Sequence, residues 1–120
     1  MTMDTVIRQS GFVTVVDIRR NIVQGKEIDL PRSVLKAVLN EGHKQILFNL
    51  GKVNYIDTSG VGCLMSAFTS VRKQDGELKL LNLTKKVRDV MRTTRLDTVF
   101  DVLDDEVSAI RSFRQSNTAN

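Results

Sequence analysis

Residues 54–62 read Asn-Tyr-Ile-Asp-Thr-Ser-Gly-Val-Gly, and they join two segments of different character. The segment before them, residues 45–50, is apolar and has the length and composition of a buried strand. In the segment after them, residues 61–73, the apolar residues have the spacing that is typical of a helix. The hydroxyl and carboxyl side chains of the stretch therefore lie where a strand gives way to a helix.

This position is favourable for a phosphate group. The first N–H groups of a helix have no partner within the helix, and they lie at the positive end of its dipole. A phosphate on Thr58 or Ser59 would lie beside them. A commoner role for Asp57, Thr58 or Ser59 is to cap the helix, and the local pattern alone favours the cap.

Residues 55–62 also resemble the signature of the STAS domain, which occurs in bacterial anti-sigma factor antagonists and in the tails of sulfate transporters. The signature has an apolar residue, Asp, Ser or Thr, Ser, Gly and a second apolar residue. Residues 76–84, 87–90 and 96–100 match the later parts of the family in order. The resemblance covers roughly the whole chain and is strongest in residues 45–100.

The resemblance implies an anti-sigma factor antagonist that acts as a partner switch. Such a protein binds an anti-sigma factor when it is unphosphorylated and releases it when Ser59 is phosphorylated; Thr58 is the second choice of acceptor. The implied partner-binding residues are Asp57, Thr58, Ser59, Gly60 and Val61. The implied partners are an anti-sigma factor with serine kinase activity and a serine phosphatase. Direct contact with nucleic acid or a membrane is not implied.

Two positions depart from the family pattern. Many members have Asp-Leu at the end of the strand before the switch, where this chain has Asn49 and Leu50. Many also have Gly-x-Leu-Asp after the second strand, where residues 19–22 read Arg-Arg-Asn-Ile. The first departure removes a charge near the site, and the second changes a loop that contributes to the partner surface in the family.

The composition is that of one water-soluble domain in the cytoplasm. With 120 residues, 41% hydrophobic and 27% charged, we expect a single domain over residues 1–120, with its core in about residues 3–114 and a polar tail at 115–120. No apolar run approaches the length of about 20 residues that spans a bilayer. The start of the chain lacks the features of a secretory signal, and a single cysteine fits a reducing compartment.

The positive charge does not indicate nucleic-acid binding. The net charge is +4, the chain has no Trp and one Tyr, and no recognised nucleic-acid motif occurs. The basic residues are densest between positions 85 and 95, where they are expected on a solvated helix face that is able to attract an acidic partner. They are Lys85, Lys86, Arg88, Arg92 and Arg95.

The order of elements predicts an α/β fold. Residues 5–8 and 12–18 are expected as an antiparallel hairpin, because so short a connection permits no other pairing. After a loop at 19–29, with a short strand near 22–23, helices and strands alternate, which implies right-handed crossovers. The fold class is therefore an α/β single STAS-like domain. It has a mixed, mostly parallel sheet, an N-terminal antiparallel hairpin and about four helices.

Individual elements follow from local signals. A helix is expected from Pro31 to Gly42, followed by a strand at 45–50 that extends briefly through 53–56. A strand is expected at 77–83, then a helix capped by Thr84, and then a short strand around 99–100. A last helix should begin at the paired aspartates 104 and 105. Its expected buried residues are Val107, Ile110 and Phe113.

The sequence lacks the motifs of an enzyme. There is no phosphate-binding glycine loop, no metal-ligand spacing and only one histidine, so no catalytic residue, metal or cofactor is expected. A receiver domain would carry its phosphate on an aspartate such as Asp57, beside an acidic pair after the first strand, but that region offers only Asp17. The remaining alternatives are a STAS scaffold and a small-ligand or lipid-transport accessory module that phosphorylation does not control.

Overall fold

A mixed five-stranded sheet organises the protein, for which a computed structural model describes residues 5–19 and 30–113. The strands are β1 (Thr5–Ser10), β2 (Val13–Ile18), β3 (Gln45–Asn49), β4 (Glu77–Leu81) and β5 (Val102–Leu103). The described helices are α1 (Leu30–Asn40), α2 (Thr58–Lys73), α3 (Lys85–Thr93) and α4 (Glu106–Ser112), with a 3₁₀ turn at Leu96–Thr98.

The strands lie in the order β1-β2-β3-β4-β5. Strands β1 and β2 pair antiparallel and the other neighbours pair parallel. Gly11, at φ +63°, makes the tight turn of the hairpin, because a residue without a Cβ adopts this left-handed conformation without strain. The predicted fold class and the antiparallel hairpin are therefore confirmed.

Both faces of the sheet are covered. Val16, Ile46, Phe48 and Leu80 pack into a large apolar cluster with residues of α1, α2 and α3. The opposite face carries a smaller cluster that includes residues of α4: Val13, Val15, Leu47, Leu81, Ala109 and Phe113. Every residue of β2 is buried, as expected of a strand covered on both sides. Among the described residues no helix is long and apolar enough to cross a membrane.

The first helix agrees with its sequence signals where they can be compared. It begins at Leu30, one residue before Pro31, and Gly42, at φ +87°, follows its end as predicted. Leu35, Val38 and Leu39 are buried along one side. The loop expected at 19–29 and its strand near 22–23 fall almost wholly in residues 20–29, which lie outside the described part of the chain.

The extended segments were the least accurate predictions. Residues 53–56 form no strand beyond an isolated bridge at Ile56. The strand expected at 99–100 is wrong, because the N–H groups of Val99 and Phe100 both donate to the carbonyl of Leu96 in a tight turn. The sheet resumes only after this turn: the Leu80 N–H donates to the carbonyl of Asp101, and the strand that follows is β5.

Two side chains also differ from their predicted roles. Thr84 occupies the N-cap position of α3, but its hydroxyl makes no cap hydrogen bond and donates instead to the carbonyl of Val53, at 2.8 Å. Val107 is 56% exposed rather than buried, because α4 presents Ala109 and Phe113 to the sheet. Ile110 is partly buried and Phe113 is buried, as expected.

Candidate functional site

The switch segment, residues 57–61, forms the capped start of α2. Asp57 is the N-cap: its Oδ1 accepts the Gly60 N–H at 2.9 Å, and its carbonyl accepts the Val61 N–H at 2.9 Å. The capping interpretation is therefore confirmed for Asp57. The helix begins at Thr58, three residues before the start that apolar spacing had predicted, so Thr58 and Ser59 lie in its first turn.

Exposure differs sharply along the switch segment. Thr58 is exposed, while Asp57, Ser59 and Val61 are half-buried, and Gly60 is buried. The hydroxyl-bearing residues thus lie at the surface beside the first N–H groups of a 16-residue helix. Burial of Gly60 leaves Gly62 as the glycine of this stretch that another molecule can touch.

Gly62 leaves bare backbone on the outer side of α2. It is exposed, and a Cβ placed on it would meet nothing within 4 Å. A glycine inside a helix costs about 1 kcal/mol relative to alanine. Nothing in the described fold requires a glycine here, so Gly62 lowers the stability of α2 and permits a close approach from outside.

The connecting loop, residues 50–56, holds the switch segment in place. The Leu50 N–H donates to the carbonyl of Leu81 at 2.9 Å, which fixes the start of the loop to β4. The hydrogen bond from Thr84 to Val53 fixes its middle. Val53 and Ile56 are buried in the core, so the loop holds Asp57 in one defined position at the N-terminus of α2.

A hydrogen-bonded network of polar side chains, called the polar network, lies beside the carboxyl ends of β2 and β3. Arg8 on β1 donates to both oxygens of Asp17, at 2.8 and 3.3 Å, and to both oxygens of Glu106 on α4, each at 2.7 Å. Asn49 Nδ2 donates to Asp17 Oδ1 at 2.8 Å. Asn49 Oδ1 accepts the Gly51 N–H at 3.1 Å, which connects the polar network to the start of the connecting loop.

The charged groups of Arg8, Asp17 and Glu106 stabilise one another. Burial opposes ionisation of Asp17, but the hydrogen bonds from Arg8 and Asn49 outweigh it and hold the pKa of Asp17 below its usual value. The hydrogen bond from Arg8 likewise lowers the pKa of Glu106, and the two carboxylates raise the pKa of Arg8. Glu106 lies 98 residues from Arg8, so sequence analysis missed the contact.

The basic residues of α3 are at the surface as predicted, while Arg95 lies in the turn after the helix rather than on its face. Lys85, Lys86, Arg92 and Arg95 are exposed, and Arg88 pairs with Asp104 at 3.0 Å. Across residues 5–19 and 30–113, no three His, Cys, Asp or Glu side chains are grouped so that they could hold a metal ion. Cys63 is buried one turn after Ser59.

A comparison with models of known domain families identifies the family of this chain. The model of the STAS domain family matches residues 4–109. The chain belongs to the STAS domain family. This confirms the resemblance that residues 55–62 had indicated, and it extends over most of the chain.

Several proteins similar to this STAS domain are named as anti-sigma factor antagonists. BtrV of Bordetella bronchiseptica, a candidate antagonist, is 23% identical over 95 residues, 79% of this chain and 82% of that protein. The anti-sigma-B factor antagonist of Bacillus subtilis is 36% identical over 53 residues, 44% of this chain and 49% of its own length.

Solved structures show the same fold. A candidate antagonist from Thermotoga maritima superposes with a TM-score of 0.84 at 21% identity, covering 92% of this chain and 95% of that one. The Bacillus protein SpoIIAA in its phosphorylated form superposes with a TM-score of 0.68 at 18% identity, covering 89% and 96%.

Proposed function

We propose that this STAS domain is an anti-sigma factor antagonist whose binding is switched by phosphorylation of Ser59. The observation that carries the proposal is the position of Ser59: half-buried in the first turn of α2, next to the bare backbone of Gly62. The similar proteins from Bordetella and Bacillus are named as anti-sigma factor antagonists, and the fold is shared with a phosphorylated SpoIIAA. These likenesses support the choice of partner class.

The charge of a phosphate explains how the switch acts. Phosphorylation of a hydroxyl adds about −1.5 to −2 charges at neutral pH. Asp57, two residues away, already carries a negative charge and already accepts the Gly60 N–H. A phosphate on Ser59 therefore creates a second negative group on the contact face. A partner packed there would have to remove both groups from water, which costs free energy that the unmodified serine does not require.

The proposed cycle involves two partners of this chain and the sigma factor that one of them holds. The unmodified chain binds an anti-sigma factor through residues 57–61 and the exposed side of α2, and so frees a sigma factor. The anti-sigma factor, acting as a serine kinase, transfers phosphate to Ser59 and ends the complex, and a serine phosphatase restores the hydroxyl. The chain itself catalyses no reaction, and ATP is bound by the kinase. We place the cycle in the cytoplasm and propose one domain over residues 1–120, with its core in about residues 3–114.

Two surface hollows among the described residues bear on the small-ligand alternative. One, of about 280 Å³, lies between α1 and α2, and the other, of about 350 Å³, lies between α3 and β5. Small-molecule sites usually occupy about 300–1,000 Å³, so both are at the lower limit. Neither is lined by a residue of the switch segment. Neither of these two hollows therefore accounts for the signature residues, which the partner switch uses directly.

Gly62 provides a first test of the contact face. We expect Gly62→Gln to weaken binding of the anti-sigma factor by about tenfold, because the new side chain occupies the space through which the partner approaches. The measurement is a titration with the partner recovered by a Ser59→Ala bait. Thr93→Gln, an exposed substitution at the end of α3 and outside the proposed contact face, is the matched control. Equal affinities for both variants would show that the partner binds elsewhere.

The phosphate itself is tested on protein purified from its native cells. Intact-mass and peptide analysis should find one acid-stable phosphate on Ser59, removed by phosphatase and absent from Ser59→Ala but present in Thr58→Ala. A phosphate that persists in Ser59→Ala and disappears in Thr58→Ala would move the acceptor to Thr58. No phosphate under any growth condition, with unchanged partners for Ser59→Ala and Ser59→Asp, would exclude the switch and favour the scaffold alternative.

A further inference from the structure

Asn49 makes two hydrogen bonds of opposite kind at the start of the connecting loop. Its Nδ2 donates to Asp17 Oδ1 at 2.8 Å, and its Oδ1 accepts the Gly51 N–H at 3.1 Å. The side chain therefore needs a donor and an acceptor at once. An amide supplies both, whereas an ionised carboxylate only accepts and an apolar side chain does neither.

Gly51 is matched to this contact. A Cβ on Gly51 would lie 3.3 Å from Asn49 Oδ1, closer than most side chains pack, and 3.4 Å from Cβ of Asn82, which is an ordinary contact. Its φ is not in the left-handed region, so backbone conformation alone does not call for a glycine. The absence of a side chain at Gly51 instead allows the loop to pass close to the Asn49 amide.

The charges around Asn49 explain why an aspartate does not fit here. The carboxylate of Asp17 lies within hydrogen-bond distance of Asn49, with only 12% of its side chain exposed. It is shared with Arg8, whose guanidinium also binds Glu106 of α4, and Arg19 adds a weaker attraction. On the β4 side, the neighbour of Gly51 is the uncharged Asn82. A carboxylate at position 49 would repel Asp17, and the side chain would turn away from both of its partners.

We propose that Asn49 is a positioning residue for the switch: together with the hydrogen bond from the Leu50 N–H to Leu81, its amide fixes the start of the connecting loop and thereby the place of the segment that carries Ser59. The link to phosphorylation of Ser59 rests on the proposed function, but the two hydrogen bonds of Asn49 do not. The loop runs from Asn49 through the buried Val53 and Ile56 directly into the Asp57 cap. A change at the hydrogen bond between Asn49 and Gly51 is therefore transmitted to the first turn of α2.

Asn49→Asp tests the inference on the protein alone. At pH 7 we expect the Gly51 amide to exchange its hydrogen about tenfold faster than in the unchanged chain, the effect of losing one hydrogen bond. The ¹⁵N–¹H signal of Gly60, in the switch segment, should move with it. Because two adjacent carboxyl groups share a proton at low pH, the difference should shrink towards pH 4. Asn49→Leu should show the fast exchange at every pH.

The double variant Asn49→Asp with Asp17→Asn exchanges the amide and the carboxylate while the net charge stays the same. It restores one donor and one acceptor between the two positions, so the Gly51 exchange rate and the Gly60 signal should return close to those of the unchanged chain. Circular dichroism confirms that each variant is folded.

The inference would be overturned if Asn49→Asp left Gly51 and Gly60 unchanged at pH 7, if Gly51 changed while Gly60 did not, or if the folded double variant failed to recover. None of these readouts needs a phosphate or a partner. Failure of the Ser59 phosphate test would therefore reject the proposed function and leave the Asn49 result standing, and the reverse also holds.

Discussion

Replacing Arg8 with methionine is expected to lower the free energy of unfolding by about 2 kcal/mol at pH 7. The substitution removes four charge-assisted hydrogen bonds and leaves the carboxylates of Asp17 and Glu106 close together without a cation. Breaking a fully buried ion pair costs about 3–5 kcal/mol. Arg8 and Glu106 are 38% and 35% exposed, so water screens part of the loss, and we discount the figure accordingly.

The same substitution should change how stability depends on pH. The pKa values of Asp17 and Glu106 are lowered in the folded protein, so their contribution is fully present above their ordinary values of 3.8 and 4.5. It is lost as the pH falls through the lower folded-state values. The difference between the unchanged chain and Arg8→Met should therefore be largest near neutrality and should shrink as the pH falls below 4.5.

Urea unfolding at pH 7 and in acid measures both effects. The matched control is Arg88→Met, which removes an ion pair with Asp104 that is exposed on both sides, at 42% and 78%. Such pairs contribute about 0–1 kcal/mol. If Arg8→Met lowered the free energy of unfolding no more than Arg88→Met does, the polar network around Arg8 would not contribute to stability.

A second large effect is expected for Gly76→Ala, which should lower the free energy of unfolding by about 3 kcal/mol through overpacking. A Cβ on Gly76 would lie 2.5 Å from the carbonyl oxygen of Lys44 and 2.7 Å from Cγ1 of Val71. Neither neighbour is free to move, because Val71 is buried and the Lys44 carbonyl accepts the Glu77 N–H at 2.9 Å. The turn between α2 and β4 would have to shift.

Gly62→Ala is the matched control, and its expected change in the free energy of unfolding has the opposite sign. Its Cβ enters open space on the surface of α2, so we expect a gain of about 0.5–1 kcal/mol from helix propensity. Thermal unfolding of the two variants beside the unchanged chain measures both. A loss of stability in Gly62→Ala would mean that Gly62 serves the fold, and its bare backbone would then be no sign of a partner that approaches closely.

Several parts of the fold that local chemistry dictates were predicted correctly. The valines of β2 and the short connection at Gly11 require an antiparallel hairpin, and Gly42 ends α1 as its sequence indicates. Asp105 caps α4, accepting the Ser108 N–H at 2.9 Å. The start of α2 was placed too late, because threonine, serine and glycine have low helix propensity. The Asp57 cap compensates for it.

The parts of the structure that were missed are either very short or depend on contacts between distant residues. A strand of two residues such as β5 leaves no alternation to detect, and the apolar pair Val99 and Phe100 beside it looked more like a strand. The contact between Arg8 and Asp17 follows from the register of the hairpin, in which Arg8 pairs with Val15. The contact of Arg8 with Glu106 depends on the docking of α4, which no local pattern reveals.

The central claim is that a phosphate on Ser59 separates this STAS domain from its anti-sigma factor. The most direct measurement is a calorimetric titration of that factor with the unmodified chain and with the same chain phosphorylated on Ser59. We expect the phosphorylated form to bind at least about 100-fold more weakly, which corresponds to about 2.7 kcal/mol. Equal affinity of the two forms would contradict the claim, whatever phosphate the cell places on Ser59.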